Sequence, residues 1–155
     1  MAKCYDFNSG RLKISYDNII FDLELRNPVT QVFGNSATGK TLLTDLIKRL
    51  QTYSSRNGSD LDDMDVSNIL VIDNENDLYK IISTSNNLII MDEFDLIIKD
   101  NRNIIEYIVQ DRKNHYLLFA RRGYPLSLSP NYYGELINED GIVKIFFKYS
   151  VEGWF

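Results

Sequence analysis

The chain has 155 residues, with 22 Asp plus Glu against 17 Lys plus Arg and a formal net charge of -5. Its 44% hydrophobic and 25% charged residues exclude intrinsic disorder, collagen-like chains and disulfide scaffolds. Cys4 is the only cysteine, so no internal disulfide can form and a reducing, cytoplasmic setting is expected. No apolar run reaches the roughly 18 residues of a membrane helix. The start, Met1 to Asp6, lacks the apolar core of a signal peptide. No membrane partner is therefore expected. The acidic balance argues against nucleic acid as a partner, because such binding rests on phosphate neutralisation. The length predicts a single domain over 1–155.

Taken in chain order, Leu12, Ile14 and Tyr16 alternate with polar residues, and so do Ile19, Phe21, Leu23 and Leu25. This is the period of two half-buried strands, joined at Asp17-Asn18 as a hairpin. Asn27-Pro28 breaks the second strand. Val29 to Phe33 follows as a short buried strand. A helix is predicted to start near Gly39, with Leu42, Leu43, Leu46, Ile47 and Leu50 on one face. Thr52 to Asp65 is polar and reads as an exposed loop. Ile69–Asp73, Leu88–Asp92 and Tyr116–Ala120 read as buried strands, with short helices over Asn76–Ser83 and around Ile104 to Val109. Tyr133 to Asn138, a turn at Glu139-Asp140-Gly141 and the alternation from Val143 to Val151 predict a terminal antiparallel hairpin. Apolar strands separated by helices point to a parallel sheet covered on both faces.

Residues 34–41 read Gly34-Asn35-Ser36-Ala37-Thr38-Gly39-Lys40-Thr41, a full match to G-x-x-x-x-G-K-[ST]. Glycines let the backbone wrap a phosphate chain, and the loop N–H groups and helix N-terminus supply positive potential. All eight residues are candidate nucleotide-binding positions. Lys40 is expected to reach the β- and γ-phosphates, and the Thr41 hydroxyl to ligate Mg²⁺. The second element is Leu88-Ile89-Ile90-Met91-Asp92-Glu93. It ends a buried strand in two acids, at the end where open α/β sheets bind ligands. Asp92 is the second candidate Mg²⁺ ligand. Glu93 is the candidate base for an attacking water.

With these two motifs the chain resembles the P-loop NTPases, over about residues 29–121. It looks like the branch with a glutamate beside the Walker B aspartate, in which one extra strand separates the Walker A and Walker B strands. Ile69 to Asp73 lies between them in sequence. The fold this implies is α/β, a mostly parallel P-loop sheet flanked by helices, with N- and C-terminal antiparallel β-hairpins. The leading hairpin is similar to ABC-type and SMC-like ATPase heads. An LSGGQ-like signature and a helical lid are missing. The chain looks most like compact AAA-type ATP-binding proteins of bacterial mobile elements.

Arg121 and Arg122 follow the fourth strand of that core, where a cation can sense γ-phosphate, and Arg121 is the favoured one. Asp73 reads better as a turn residue than as a metal ligand, and His115 as structural. The aspartates from Asp60 to Asp65 lack calcium-loop spacing. Tyr124, Tyr132, Tyr133, Pro125 and Pro130 mark a loop, and Trp154-Phe155 covers one end of the sheet or meets a partner. The expected function is Mg²⁺-dependent ATP binding with slow hydrolysis, aided by self-association or a protein partner. A small-molecule or nucleotide kinase, and an ATP-binding interaction module without turnover, are the alternatives. No guanine-specific N-K-x-D string occurs, which favours ATP over GTP.

Overall fold

The computed structural model describes residues 3–16, 18–33, 39–57, 64–121, 126 and 132–147. Within them lie strands β1 (Tyr5–Asp6), β2 (Arg11–Tyr16), β3 (Ile19–Glu24) and β4 (Val29–Phe33). Helix α1 (Lys40–Asn57) and strand β5 (Ile69–Ile72) follow. A 3₁₀ segment (Glu75–Ile81) leads to β6 (Leu88–Met91), α2 (Phe94–Ile97) and α3 (Arg102–Gln110). The described chain closes with β7 (His115–Ala120), β8 (Tyr133–Glu139) and β9 (Ile142–Phe146).

All nine strands join one sheet in the order β1-β2-β3-β9-β8-β4-β7-β6-β5. The run β8-β4-β7-β6-β5 is parallel throughout. The pairs β1–β2, β2–β3 and β8–β9 are antiparallel, and β3 meets β9 in parallel. This corrects the expectation of a mostly parallel P-loop sheet flanked by helices. The sheet is mixed and nearly barrel-shaped, with 39% strand and only 29% helix. The physical reason lies in pairings between distant segments. Ile20 pairs with Ile142, and Val32 with Gly134. Hydrophobic alternation marks a hairpin but does not say whether its edge joins the main sheet.

The period of two sorts side chains onto two cores. Leu88, Ile90, Leu117 and Phe119 pack with Leu43, Leu46, Ile47 and Leu50 of α1. Leu12, Ile14, Phe21 and Leu23 of the first hairpin belong to that same core, so the hairpin and the parallel strands share one helix. On the other face, Ile89, Met91, Tyr116 and Leu118 pack with Leu78, Phe94, Ile104 and Ile108. Curling brings the two ends of the sheet together. The Cys4 N–H donates to the Asp65 carbonyl at 2.8 Å. Asn68 Nδ2 donates to the Tyr5 carbonyl at 2.9 Å.

Several local expectations shift. Helix α1 runs to Asn57, past the expected loop start at Thr52. Gln51 Nε2 donates to the Ile69 carbonyl at 2.7 Å, and the Thr52 hydroxyl to the Lys48 carbonyl at 3.0 Å, so tertiary contact and the helix's own carbonyls carry it on. The strand between β4 and β6 is β7, while Ile69–Ile72 stands at the sheet edge. The final turn fits its residues: Asp140 and Gly141 both have positive φ, at 56° and 88°. A Cβ on Gly141 would stand 2.8 Å from the Asn18 carbonyl oxygen, so the two hairpin turns meet there. The expected tail strand beyond residue 147, Asp17, Trp154 and Phe155 lie outside the described residues.

Candidate functional site

Helix α1 begins directly after β4 and the 34–38 segment. Gly39 has φ +101°, a backbone conformation that L side chains rarely adopt. Its carbonyl accepts the Leu43 N–H at 3.0 Å, the first helical bond. Lys40 lies three and seven positions before Leu43 and Ile47, so it shares their core-facing stripe. It is accordingly 4% exposed. Thr41, one position on, faces solvent. Its carbonyl accepts the Thr44 hydroxyl at 3.0 Å.

Strand β6 delivers the acids. Its four residues are all buried, and Asp92 follows as the chain leaves the sheet. The Asp92 N–H still donates to the Ile72 carbonyl at 3.2 Å. The Glu93 N–H donates to Asp92 Oδ1 at 3.0 Å. Glu93 has φ 51° and is the N-cap residue of α2. That left-handed turn leaves Glu93 half-exposed while Phe94 is buried. Arg121 leaves the neighbouring strand β7, with its Nε 3.9 Å from Glu93 Oε1. The parallel registers Phe33↔Ala120 and Met91↔Leu118 bring the carboxyl ends of β4, β7 and β6 side by side.

The charges act on one another. Burial pushes the Lys40 ammonium below its ordinary range, against the pull of Asp92, Asp95 and Glu93. Burial raises the Asp92 carboxyl, with Glu93 and Asp73 adding to the rise. The Glu93 N–H and Lys40 oppose it. Asp73 pairs with Lys48, which holds its carboxyl low, and accepts the Asn74 side-chain amide at 3.1 Å.

Lys40, Asp92, Glu93 and Arg121 are therefore brought together, with Gly39 and Thr41 at the helix start. Gly34, Asn35, Ser36, Ala37 and Thr38 lie outside the described residues, as do Arg122, Tyr124, Pro125 and Pro130. Asp60, Asp62 and Asp63 lie outside them too. Asp65 accepts the Ser67 N–H at 2.9 Å, a local turn contact. Sequence reasoning passed over Asp95. Its Oδ1 is buried without a hydrogen-bond partner, and its charge pulls on Lys40. The spacing Asp92-x-x-Asp95 at a helix start was the available signal. Among the described residues no group of three or more His, Cys, Asp or Glu is placed to hold a metal ion. No described helix is long and apolar enough to cross a membrane.

His115 takes a packing role: its ring stacks on Phe7 at 3.8 Å, and its Nδ1 meets the Tyr5 hydroxyl. Cys4 is buried, and burial beside Asp65 pushes its thiol up to about 11.

No family model, no curated protein and no solved structure matches the chain.

Proposed function

We propose that this chain is a P-loop NTPase that binds Mg²⁺-ATP in the 34–41 segment and hydrolyses it slowly. One observation carries the reading. A buried lysine at the first turn of α1, which follows β4, lies near an Asp-Glu pair that follows β6, with β7 between the two strands, at the carboxyl end of the parallel run. Burying an ammonium is costly, and the carboxylates of Asp92, Glu93 and Asp95 draw on it. A polyphosphate at the helix start would add anionic charge beside it.

The oxygen donors of Thr41 and Asp92 fit Mg²⁺, which keeps several waters and shares the phosphates instead of requiring an all-protein cage. When bound, it would neutralise phosphate charge. Lys40 binds the β- and γ-phosphates. Glu93 is exposed beside them and orients a water. As the water oxygen bonds to the γ-phosphorus, its proton passes to the Glu93 carboxylate and the bond to the β-phosphate oxygen breaks. Arg121 stands 3.9 Å from that carboxylate, within reach of charge developing on the γ-phosphate. Among the described residues one half-exposed arginine stands at the site; turnover is expected to be slow, and self-association or a protein partner would raise it.

A phosphate-release assay tests this. The wild type should release phosphate only with Mg²⁺ and ATP. Glu93→Gln should lose at least about a hundredfold in rate, the scale of a general base, while still binding nucleotide. Phosphate passed to a nucleoside or metabolite instead of water would replace this reading with a kinase.

A further inference from the structure

Strand β4 carries one side chain unlike its surroundings. Gln31 shares a face of the sheet with Val29, by the period of two. That face packs against Met91, Tyr116 and Leu118. Gln31 is nonetheless fully buried there. Its amide engages one residue from both ends. Nε2 donates to the Leu126 carbonyl at 3.2 Å, and Oε1 accepts the Leu126 N–H at 3.1 Å. The Tyr133 hydroxyl donates to the same carbonyl at 3.0 Å. The Leu126 side chain is itself buried in this core.

We infer that Gln31 is a positioning residue for Arg121, a role in catalysis that rests on the P-loop reading. It clamps both backbone groups of Leu126 to β4 and so holds the far end of the stretch that begins at Arg121.

The contacts of Arg121 itself hold it weakly. Its side chain is 56% exposed, and its ion pair with Glu93 is long at 3.9 Å. Exposed pairs of this kind fix little. Its position therefore depends on the chain to either side. On one side Ala120 is held by its register with Phe33. On the other, the fixed point is Leu126. Gln31 is level with Leu118, so Arg121 stands three residues, roughly 10 Å, further along the sheet. The five steps from Arg121 to Leu126 reach at most about 17 Å, and the return to Gln31 uses more than half of that. Two hydrogen bonds to one backbone unit set its direction as well as its place. An apolar side chain at position 31 would pack on this face without burying an amide, so packing alone does not call for glutamine.

The test is Gln31→Met in the full chain, which keeps length and burial and removes both bonds. Phosphate release should fall about as far as in Arg121→Ala, while Mg²⁺-ATP affinity by calorimetry stays within about twofold. Added to Arg121→Ala, Gln31→Met should cost less than about twofold more, because its effect runs through the same residue. In nucleotide-free protein the Arg121 Nε–H signal should lose order in ¹⁵N relaxation. The Arg11 Nε–H signal, held to Asp22 at 2.8 Å, should not change. Tyr133→Phe removes one bond to Leu126 at a half-buried position, and carries the same measurements if Gln31→Met does not fold. Unchanged Arg121 order in the folded variant would overturn the inference. So would equal losses of rate with and without the Arg121 side chain, or a loss of affinity as large as the loss of rate. A wild type that releases no phosphate, with Arg121 order still lost in Gln31→Met, would sink the P-loop reading and leave the clamp on Arg121 standing.

Discussion

Replacing Gly39 by alanine separates backbone conformation from crowding at the start of α1. Among the described residues an added Cβ meets the Phe21 ring at 3.6 Å, an ordinary contact. The cost expected there comes from φ +101°, beyond the small left-handed region open to L residues. Holding alanine there costs about 2 kcal/mol. The stiffer unfolded chain returns about 0.4–1 kcal/mol of that. The net loss is about 1–1.6 kcal/mol, by difference of those two figures. For a chain of this size that lowers the melting temperature by roughly 2–6 °C. Urea denaturation of nucleotide-free protein measures it directly. Nucleotide binding should weaken as well, because the strained residue aims the first turn of α1, and with it Lys40, at the phosphate position. Wild-type stability in Gly39→Ala would refute the reasoning, since it would mean that the helix start relaxes freely.

Arg121→Ala should leave stability within about 0.5 kcal/mol in urea melts, because the pair with Glu93 is half-exposed and long. It should cut phosphate release at least tenfold if Arg121 meets developing charge. Tyr116→Phe removes a 2.6 Å hydrogen bond donated to the Asp111 carboxylate at the far end of the sheet. It should cost about 1.5–3 kcal/mol in a urea melt and leave nucleotide affinity unchanged. His115 is the only histidine, and burial holds its imidazole below the ordinary 6.5. As pH falls through 6.5 the unfolded chain takes the proton first. Stability should therefore be full above 6.5, decline below it, and level off under the lower folded value. Urea midpoints of wild type and His115→Gln across that window check this. An identical slope in both would contradict it.

Short-range features were legible because the residues that dictate them are neighbours. The alternation Leu12, Ile14 and Phe21, Leu23 placed β2 and β3, and the apolar run 88–91 placed β6. Asp140-Gly141 marked its turn because few other pairs accept two positive φ values. The sheet order was not legible. It rests on pairs such as Ile20 with Ile142, more than a hundred residues apart, and nothing in either segment names the other. Strand β1 has two residues, too few for a period to show. At the candidate site, Lys40, Asp92 and Glu93 stand out because their motifs are local. Asp95 did not, since its pull on Lys40 exists only once the carboxyl ends of β4 and β6 are aligned on either side of β7. Lys48 and Asp73 likewise pair across 25 positions.

The most direct measurement is calorimetric titration of Mg²⁺-ATP into the wild type and into Lys40→Ala, with both shown to be folded. Binding in the micromolar range to the wild type, abolished in Lys40→Ala, is the predicted result. No binding to folded wild type, or equal affinity in the two proteins, would contradict the assignment of residues 34–41 as a nucleotide site.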